Sequence, residues 1–277
     1  VARGKTPRLA RDKGGHAVIA ITRSSWSLAI RTVFFSPEPQ RADSRADLIG
    51  CIQSSRSGAG FQVVRTLHID LTQPPAALFS GFGKSTKNQV NRAEKLDHLT
   101  YTAIAQPTDA DVRSFRDFYN AFARAKGTTL CRGYQLETME LLMRQNGLVI
   151  TRIADADAQP LCYHVYVADG GRAMLLYSAS HFRRIEDRCE RRRLGRANRL
   201  HHWRDILFFR AAGYVLYDFG GLTEDPRIAE FKRSFGGNEV AEYTGYVPVT
   251  WKGRIAAAYR GMLCLVRRHI FSPSATG

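Results

Sequence analysis

Apolar residues early in the chain come in short runs with β-branched and aromatic members. Ala17 to Ile21 and Trp26 to Phe35 fit two strands, the second ended by Pro37 and Pro39. The polar stretch from Arg41 to Gly60, which holds Ser54, Ser55, Ser57, Gly58 and Gly60, predicts a helix remnant followed by a loop. Phe61 to Leu71 predicts another strand. Beyond Pro74 and Pro75 the composition of Ala76 to Leu96 is helical, with Lys84, Lys87, Arg92 and Lys95 on neighbouring faces.

The pattern in the second half is sharper. Leu99 to Ala105 predicts a strand. Asp109 to Lys126 predicts an amphipathic helix with Asp109 as N-cap, an apolar stripe of Val112, Phe115, Phe118 and Phe122, and Gly127 closing it. Tyr134 to Gln145 predicts a second helix, ended by Asn146 and Gly147. Three strands come next, Leu148 to Ala154, Pro160 to Ala168 and Arg172 to Ala179, joined by hairpin turns at Asp155 to Gln159 and Asp169 to Gly171. A helix from about Leu194 to Ala212, a strand Tyr214 to Tyr217, a short helix Pro226 to Ser234 and a strand Glu239 to Val249 complete the series. The expected fold class is therefore α/β with a mixed (α+β) sheet. Three antiparallel strands run into a helix and then a parallel strand, leaving a cleft where the sheet changes character. The expected divisions are a flexible basic leader over 1–15, a reduced half over 16–96, a complete domain over 97–250 and a basic, helical tail over 251–277.

Composition narrows the class of partner. With 44% hydrophobic and 24% charged residues the chain is globular material, enough for one large domain or two small ones. Forty-one Lys and Arg against 25 Asp and Glu leave a formal charge of +16, which favours polyanions. Transfer RNA, coenzyme A, a nucleotide diphosphate sugar and an anionic membrane face all carry phosphate, and charge does not choose among them. Cys51, Cys131, Cys162, Cys189 and Cys264 are scattered, with no CxxC pair and no His-rich cluster, so neither a disulfide frame nor a bound metal is expected. The apolar stretch Ala256 to Val266 is interrupted by Arg260 and too short to span a bilayer. Trp251 to Ile270, with Lys252, Arg254, Arg260, Arg267 and Arg268, fits a helix packed on its own domain or one lying on an anionic surface. The expectation is a cytoplasmic protein, with peripheral contact to the inner face of a membrane as a further option.

Two motifs carry candidate chemistry. Arg192-Arg193-Leu194-Gly195-Arg196-Ala197 fits the pattern R-x-x-G-x-A, followed by Asn198. At a helix start such a phrase suits phosphate, because glycine allows close backbone approach and free amides point at the anion along the helix dipole. It is similar to the segment of GNAT enzymes that cradles the pyrophosphate of coenzyme A, and the order of elements in the second half resembles a GNAT domain. The second motif pairs Tyr217-Asp218-Phe219-Gly220-Gly221 with Phe231-Lys232-Arg233-Ser234-Phe235-Gly236-Gly237. This pair resembles the Fem family, whose members form peptidoglycan cross-bridges with two GNAT-like domains and aminoacyl-tRNA as donor. Gly195 to Arg199 with Trp203 is similar to relatives in polysaccharide and envelope biosynthesis, and Ile69-Asp70-Leu71 with Val90 to Lys95 resembles the end of the first Fem domain. The resemblance spans most of Phe61 to Val249, while the amino-terminal half is shorter than a full GNAT domain.

The resemblance implies that Lys232 sits by the reacting carbonyl and stabilises the tetrahedral oxyanion; capping of the short helix is the alternative. Asp218 orients the acceptor amine or fixes the Gly220-Gly221 turn. Gly220, Gly221, Gly236 and Gly237 shape the backbone around Phe231 and Phe235. Tyr177, His181 and Glu230 are the groups expected to deprotonate the amine, Tyr177 foremost. His201 and His202 read as ordinary helix residues, and Ser178 and Ser180 have no His and Asp arrangement for covalent catalysis. The implied function is amide formation on an amine of an envelope or polysaccharide precursor, with aminoacyl-tRNA as donor and no permanently bound cofactor. An acyl-CoA donor, and a non-catalytic protein binding RNA or an anionic membrane, are the alternatives.

Overall fold

The computed structural model describes residues 19–25, 27–36, 45–181, 187–223 and 225–258. The expected leader over 1–15 and most of the expected tail over 251–277 lie outside the described residues. The first half comprises β1 Ala20–Ser25, β2 Leu28–Phe34, β3 Leu48–Ser54, β4 Gln62–Asp70, α1 Pro75–Ser80, α2 Lys84–Leu96 and β5 Thr100–Ile104. The second comprises α3 Asp109–Lys126, α4 Gly133–Arg144, β6 Leu148–Ala154, β7 Pro160–Asp169, β8 Arg172–Ser180, α5 Arg188–Ala211, β9 Leu216–Gly221, α6 Pro226–Arg233 and β10 Asn238–Pro248. Residues 251–258 are helical. Among the described residues no helix is long and apolar enough to cross a membrane.

The chain divides into two compact units within β4 and within β10, one comprising Thr66–Val240 and the other the described parts of Val18–Arg65 and Ala241–Gly277. This differs from the division expected at residue 96. The end of β4 pairs with β9, and α2 packs on α5, so β4, α1 and α2 are bound to the second half of the chain.

In the larger unit the strand order is β4-β9-β8-β7-β6-β5, with β8 and β9 parallel and the other neighbours antiparallel. This is the expected mixed sheet. Side chains alternate across it. On β7, Tyr163 packs against Phe115 and Phe118 of α3, whereas Tyr166, further along the same strand, packs against Phe209 of α5. The two helices therefore cover opposite faces. The α5 side holds the main core, which includes Tyr166, Tyr217, Phe219, Trp203, Phe209 and Phe235.

Caps explain where the helices differ from expectation. The N-cap of α3 is Thr108, not Asp109, because Thr108 and Asp111 satisfy each other's amides in a capping box. α5 begins at Arg188, six residues before the expected start, because the Asp187 side chain accepts from the Glu190 amide at 2.7 Å. The single helix expected over Ala76 to Leu96 is two. They break at Gly81-Phe82-Gly83, where Phe82 turns inward onto Trp203 and Phe235.

The smaller unit pairs β1 with β2 antiparallel, β2 with β3 in parallel and β3 with β10 antiparallel. Here β3 replaces the helix remnant and loop expected over Arg41 to Gly60. Leu48 and Ile49 are fully buried and Cys51 nearly so. A strand covered on both faces shows no alternation, and its polar flanks hid it.

Candidate active site

The end of β9 is shaped by a buried carboxylate. Asp218 is fully buried, and its Oδ1 accepts from the Gly220 amide at 2.8 Å and from the Thr66 hydroxyl. Its Oδ2 takes both guanidinium donors of Arg172, Nε at 3.1 Å and a terminal nitrogen closer still. The carboxylate is thereby committed to the turn, the second of the two roles the sequence offered it. Gly220 comes next but one with φ of 66°, and a Cβ there would come within 2.5 Å of the Leu175 carbonyl on β8. Gly237 has φ of 88°, with the His68 carbonyl pressed against the position of a Cβ. Neither position admits a side chain.

Lys232 reaches this turn from α6. Its ammonium donates to the carbonyls of Phe219 at 2.8 Å and Gly221 at 2.7 Å, which leaves its third proton without a partner among the described residues. Burial pushes its pKa down to about 8, against a partial upward pull from Asp218. The lysine does not cap α6; it is turned onto β9. Phe235 packs on Phe219 and Phe82, and Phe231 carries the Arg199 guanidinium 4.9 Å above its ring. Gly221 supplies one of the two carbonyls, and Gly236 carries the turn after α6 with φ of 73°.

Beside Lys232 lies a polar network that the sequence pattern did not reveal. His202 packs its ring on Phe219, Phe231 and Phe235, and its Nδ1 is 2.8 Å from the Tyr217 hydroxyl. Tyr217 meets Tyr166 at 2.9 Å, and Tyr166 donates to Asp205 at 2.6 Å. Asp205 also accepts from Tyr101 at 3.0 Å and faces His164 Nδ1 at 2.6 Å. His201 stacks on His164 with ring centroids 3.7 Å apart and meets Thr151 at 2.8 Å. His164, His201, Asp205, Tyr166 and Tyr217 are fully buried, and His202 is 2% exposed. Burial pushes His201 and His202 well below the ordinary imidazole pKa, helped in both by the neighbouring His164. Burial alone would raise Asp205, but His201 and the hydrogen bonds from His164 and Tyr166 hold it below the carboxylate range. Both tyrosines are pushed well above 10 by burial and by the Asp205 charge, so they stay protonated. A cavity of about 330 Å³ beside Tyr101 is rimmed by the Glu94–Arg204 ion pair at 3.0 Å.

His164, His202 and Asp205 bring ligand atoms within 4.8 Å of one another, a spacing a metal ion could use. In the described structure His164 Nδ1 and the Asp205 carboxylate are instead bonded to each other, and the arrangement is a hydrogen-bonded network.

The R-x-x-G-x-A phrase falls elsewhere. Because α5 starts at Arg188, Gly195, Arg196, Ala197 and Asn198 lie inside the helix, not at its open end. Their amides are within the helical ladder, and Ala197 is fully buried. Arg196 is held by Asp97 in a two-pronged pair at 2.8 and 2.6 Å, and Asn198 Oδ1 lies 3.2 Å from His164 Nε2. Arg192 is exposed. Nor do the expected bases gather at Lys232. Tyr177 packs on Phe115 and Tyr119 on the α3 face, His181 lies 4.0 Å from Phe118, and Glu230 is exposed. What the sequence did offer for the network was a polar triplet, His201, His202 and Asp205, on the apolar face of a helix, with His164 and Tyr166 two residues apart on one strand face.

No family model matches the sequence, and no curated protein matches it. Solved structures do. FemX superposes with a TM-score of 0.55 at 11% identity, over 86% of each chain. The C-terminal domain of a putative lysylphosphatidylglycerol synthetase from Agrobacterium fabrum gives 0.52 at 11% identity, over 90% of this chain and 88% of that one. The chain has the fold of FemX and of this synthetase domain. L-PGS from Bacillus licheniformis matches it at a TM-score of 0.51 and 10% identity, over 88% of this chain and 85% of the other.

Proposed function

We propose that this chain is an acyltransferase of aminoacyl type, joining an aminoacyl group from transfer RNA to an amine of an envelope or polysaccharide precursor. The observation that carries the reading is the Lys232 ammonium, desolvated, anchored by two carbonyls and left with one free donor. A cation held in place in a dry site stabilises a tetrahedral oxyanion without reorganising as the charge develops. The amine attacks the donor ester directly, so no nucleophilic side chain is required. The names of the similar structures point the same way: FemX, and the C-terminal domain of a putative lysylphosphatidylglycerol synthetase. The formal charge of +16 suits a polyanionic donor, and contact with an anionic membrane face is compatible with it.

A coenzyme A donor is the rival, resting on R-x-x-G-x-A. The burial of that phrase within α5 weighs against it, since a diphosphate needs amides that are free. Incubation with charged tRNA and an amine-bearing precursor, followed by mass spectrometry, is expected to yield an amide product whose rate of formation Lys232→Met lowers by about 10²–10³. Thermal stabilisation by micromolar coenzyme A together with indifference to charged tRNA overturns the donor assignment. Binding of tRNA without product favours the non-catalytic alternative.

A further inference from the structure

Lys232 answers only half of the reaction, because the attacking amine must also lose a proton. None of the three groups the sequence offered for that task is brought to Lys232. His202 lies among the residues that Lys232 touches: its ring is 5.0 Å from the Phe219 ring, Lys232 donates to the Phe219 backbone carbonyl at 2.8 Å, and the Lys232 charge acts on the imidazole. His202 and Arg199 also share the ring of Phe231, the residue next to Lys232.

The direction of every proton in the network is set from its far end. Asp205, held as a carboxylate, can only accept. Tyr166, 2.6 Å away, therefore gives its one proton to Asp205 and has only lone pairs to offer Tyr217. Tyr217, at 2.9 Å, must donate to Tyr166, which leaves it accepting from His202. The 2.8 Å contact of His202 Nδ1 with Tyr217 is then an N–H donating to oxygen, and the imidazole is the Nδ1–H tautomer. Reversing any link would place two protons, or none, between a pair of close oxygens in a buried site. Nε2 consequently carries a bare lone pair, and it has no hydrogen-bond partner among the described residues.

We propose that His202 Nε2 is the general base of this site, held in the reactive tautomer by the relay Tyr217–Tyr166–Asp205. The role rests on the transferase function proposed for Lys232. As the amine nitrogen bonds to the donor carbonyl carbon, its proton passes to Nε2. When the carbon–oxygen ester bond breaks, the imidazolium returns that proton to the departing ribose oxygen. The products are one amide and one hydroxyl, and His202 ends neutral. Asp205, Tyr166 and Tyr217 are positioning residues. They stabilise the transient imidazolium through Nδ1–H and never exchange with substrate.

Two measurements on the full chain test the proposal. In ¹⁵N-histidine-labelled protein, His202 is expected to show a protonated Nδ1 and an unprotonated Nε2 near neutral pH, with that preference lost in Tyr217→Phe. A protonated Nε2 in the wild type overturns the relay. His202→Ala is expected to lower kcat by about 10² to 10⁴, and added imidazole, filling the space left, to restore at least tenfold of the loss. A His202→Ala enzyme within threefold of wild type, or a folded one that imidazole does not rescue, overturns the base. If that variant does not fold, Tyr217→Phe decides, with kcat expected to fall at least tenfold at unchanged KM; an unchanged kcat refutes the relay. Absence of amide product from the wild type is a separate outcome, because it removes the transferase function itself.

Discussion

Lys232→Met separates what the ammonium does for folding from what it does for chemistry. The side chain keeps its length and apolar stem and loses only the charge. In the native protein the group titrates near 8, against an ordinary lysine value of 10.5. Between those values the unfolded chain holds the proton and the folded chain does not, so stability rises with pH across that window and is flat with respect to this group below it. The full difference corresponds to about 3 kcal/mol at 1.36 kcal/mol per unit, of which about 2 kcal/mol falls between pH 7.5 and 9.5. At pH 7 the variant escapes the cost of burying a charge but leaves the carbonyls of Phe219 and Gly221 without their donor, a loss of about 1–3 kcal/mol each. The two effects oppose each other, and only a small change in midpoint is expected there. Urea unfolding of both proteins across that pH range isolates the lysine, because every other titrating group is common to the pair. Catalysis should respond differently, with kcat falling by about 10²–10³, the cost of removing one oxyanion donor. A variant that keeps the wild-type dependence of stability on pH, or retains more than a tenth of the activity, refutes the placement of this ammonium in a desolvated site.

Gly195→Ala is expected to raise the thermal midpoint, by about 1 kcal/mol of helix propensity, because the position lies inside α5 and a Cβ there meets nothing within 4 Å. A folded Gly195→Ala protein that has lost donor binding would restore the phosphate-cradle role to that glycine. Asp218→Asn should destabilise by about 3–5 kcal/mol in urea, since it leaves the Arg172 guanidinium facing a neutral amide in a buried turn. A loss below 1 kcal/mol would mean that the turn after Asp218 does not depend on that pair.

Much of the larger unit was legible in the sequence because its signals are local. The strands β6, β7 and β8 were visible from their apolar runs and the turn residues between them, and α3 from a stripe that repeats at helical spacing. The start of α5 was not. Its first turns read Arg188-Cys189-Glu190-Arg191-Arg192-Arg193, a solvated face with no apolar period, so the pattern became visible only at Leu194. That six-residue error moved Gly195 from the interior of a helix to its open end, and with it the apparent strength of a coenzyme A site. The β3 strand was lost for the converse reason, burial without alternation.

The resemblance of the Tyr217–Gly221 and Phe231–Gly237 segments to the Fem family pointed to Lys232 and Asp218, and the glycines around them record a local backbone requirement. What the sequence could not assign was the company they keep. Asp218 is tied to Thr66 and Arg172, 152 and 46 residues away along the chain. His202, Tyr217, Tyr166 and Asp205 come from one helix and two strands that are neighbours only because β9 leads the chain back to the sheet and α5 lies across it. Taken singly, each is an ordinary histidine, tyrosine or aspartate. A tautomer is decided by the chain of donors and acceptors within about 3 Å of the ring, and only the packed structure contains that chain.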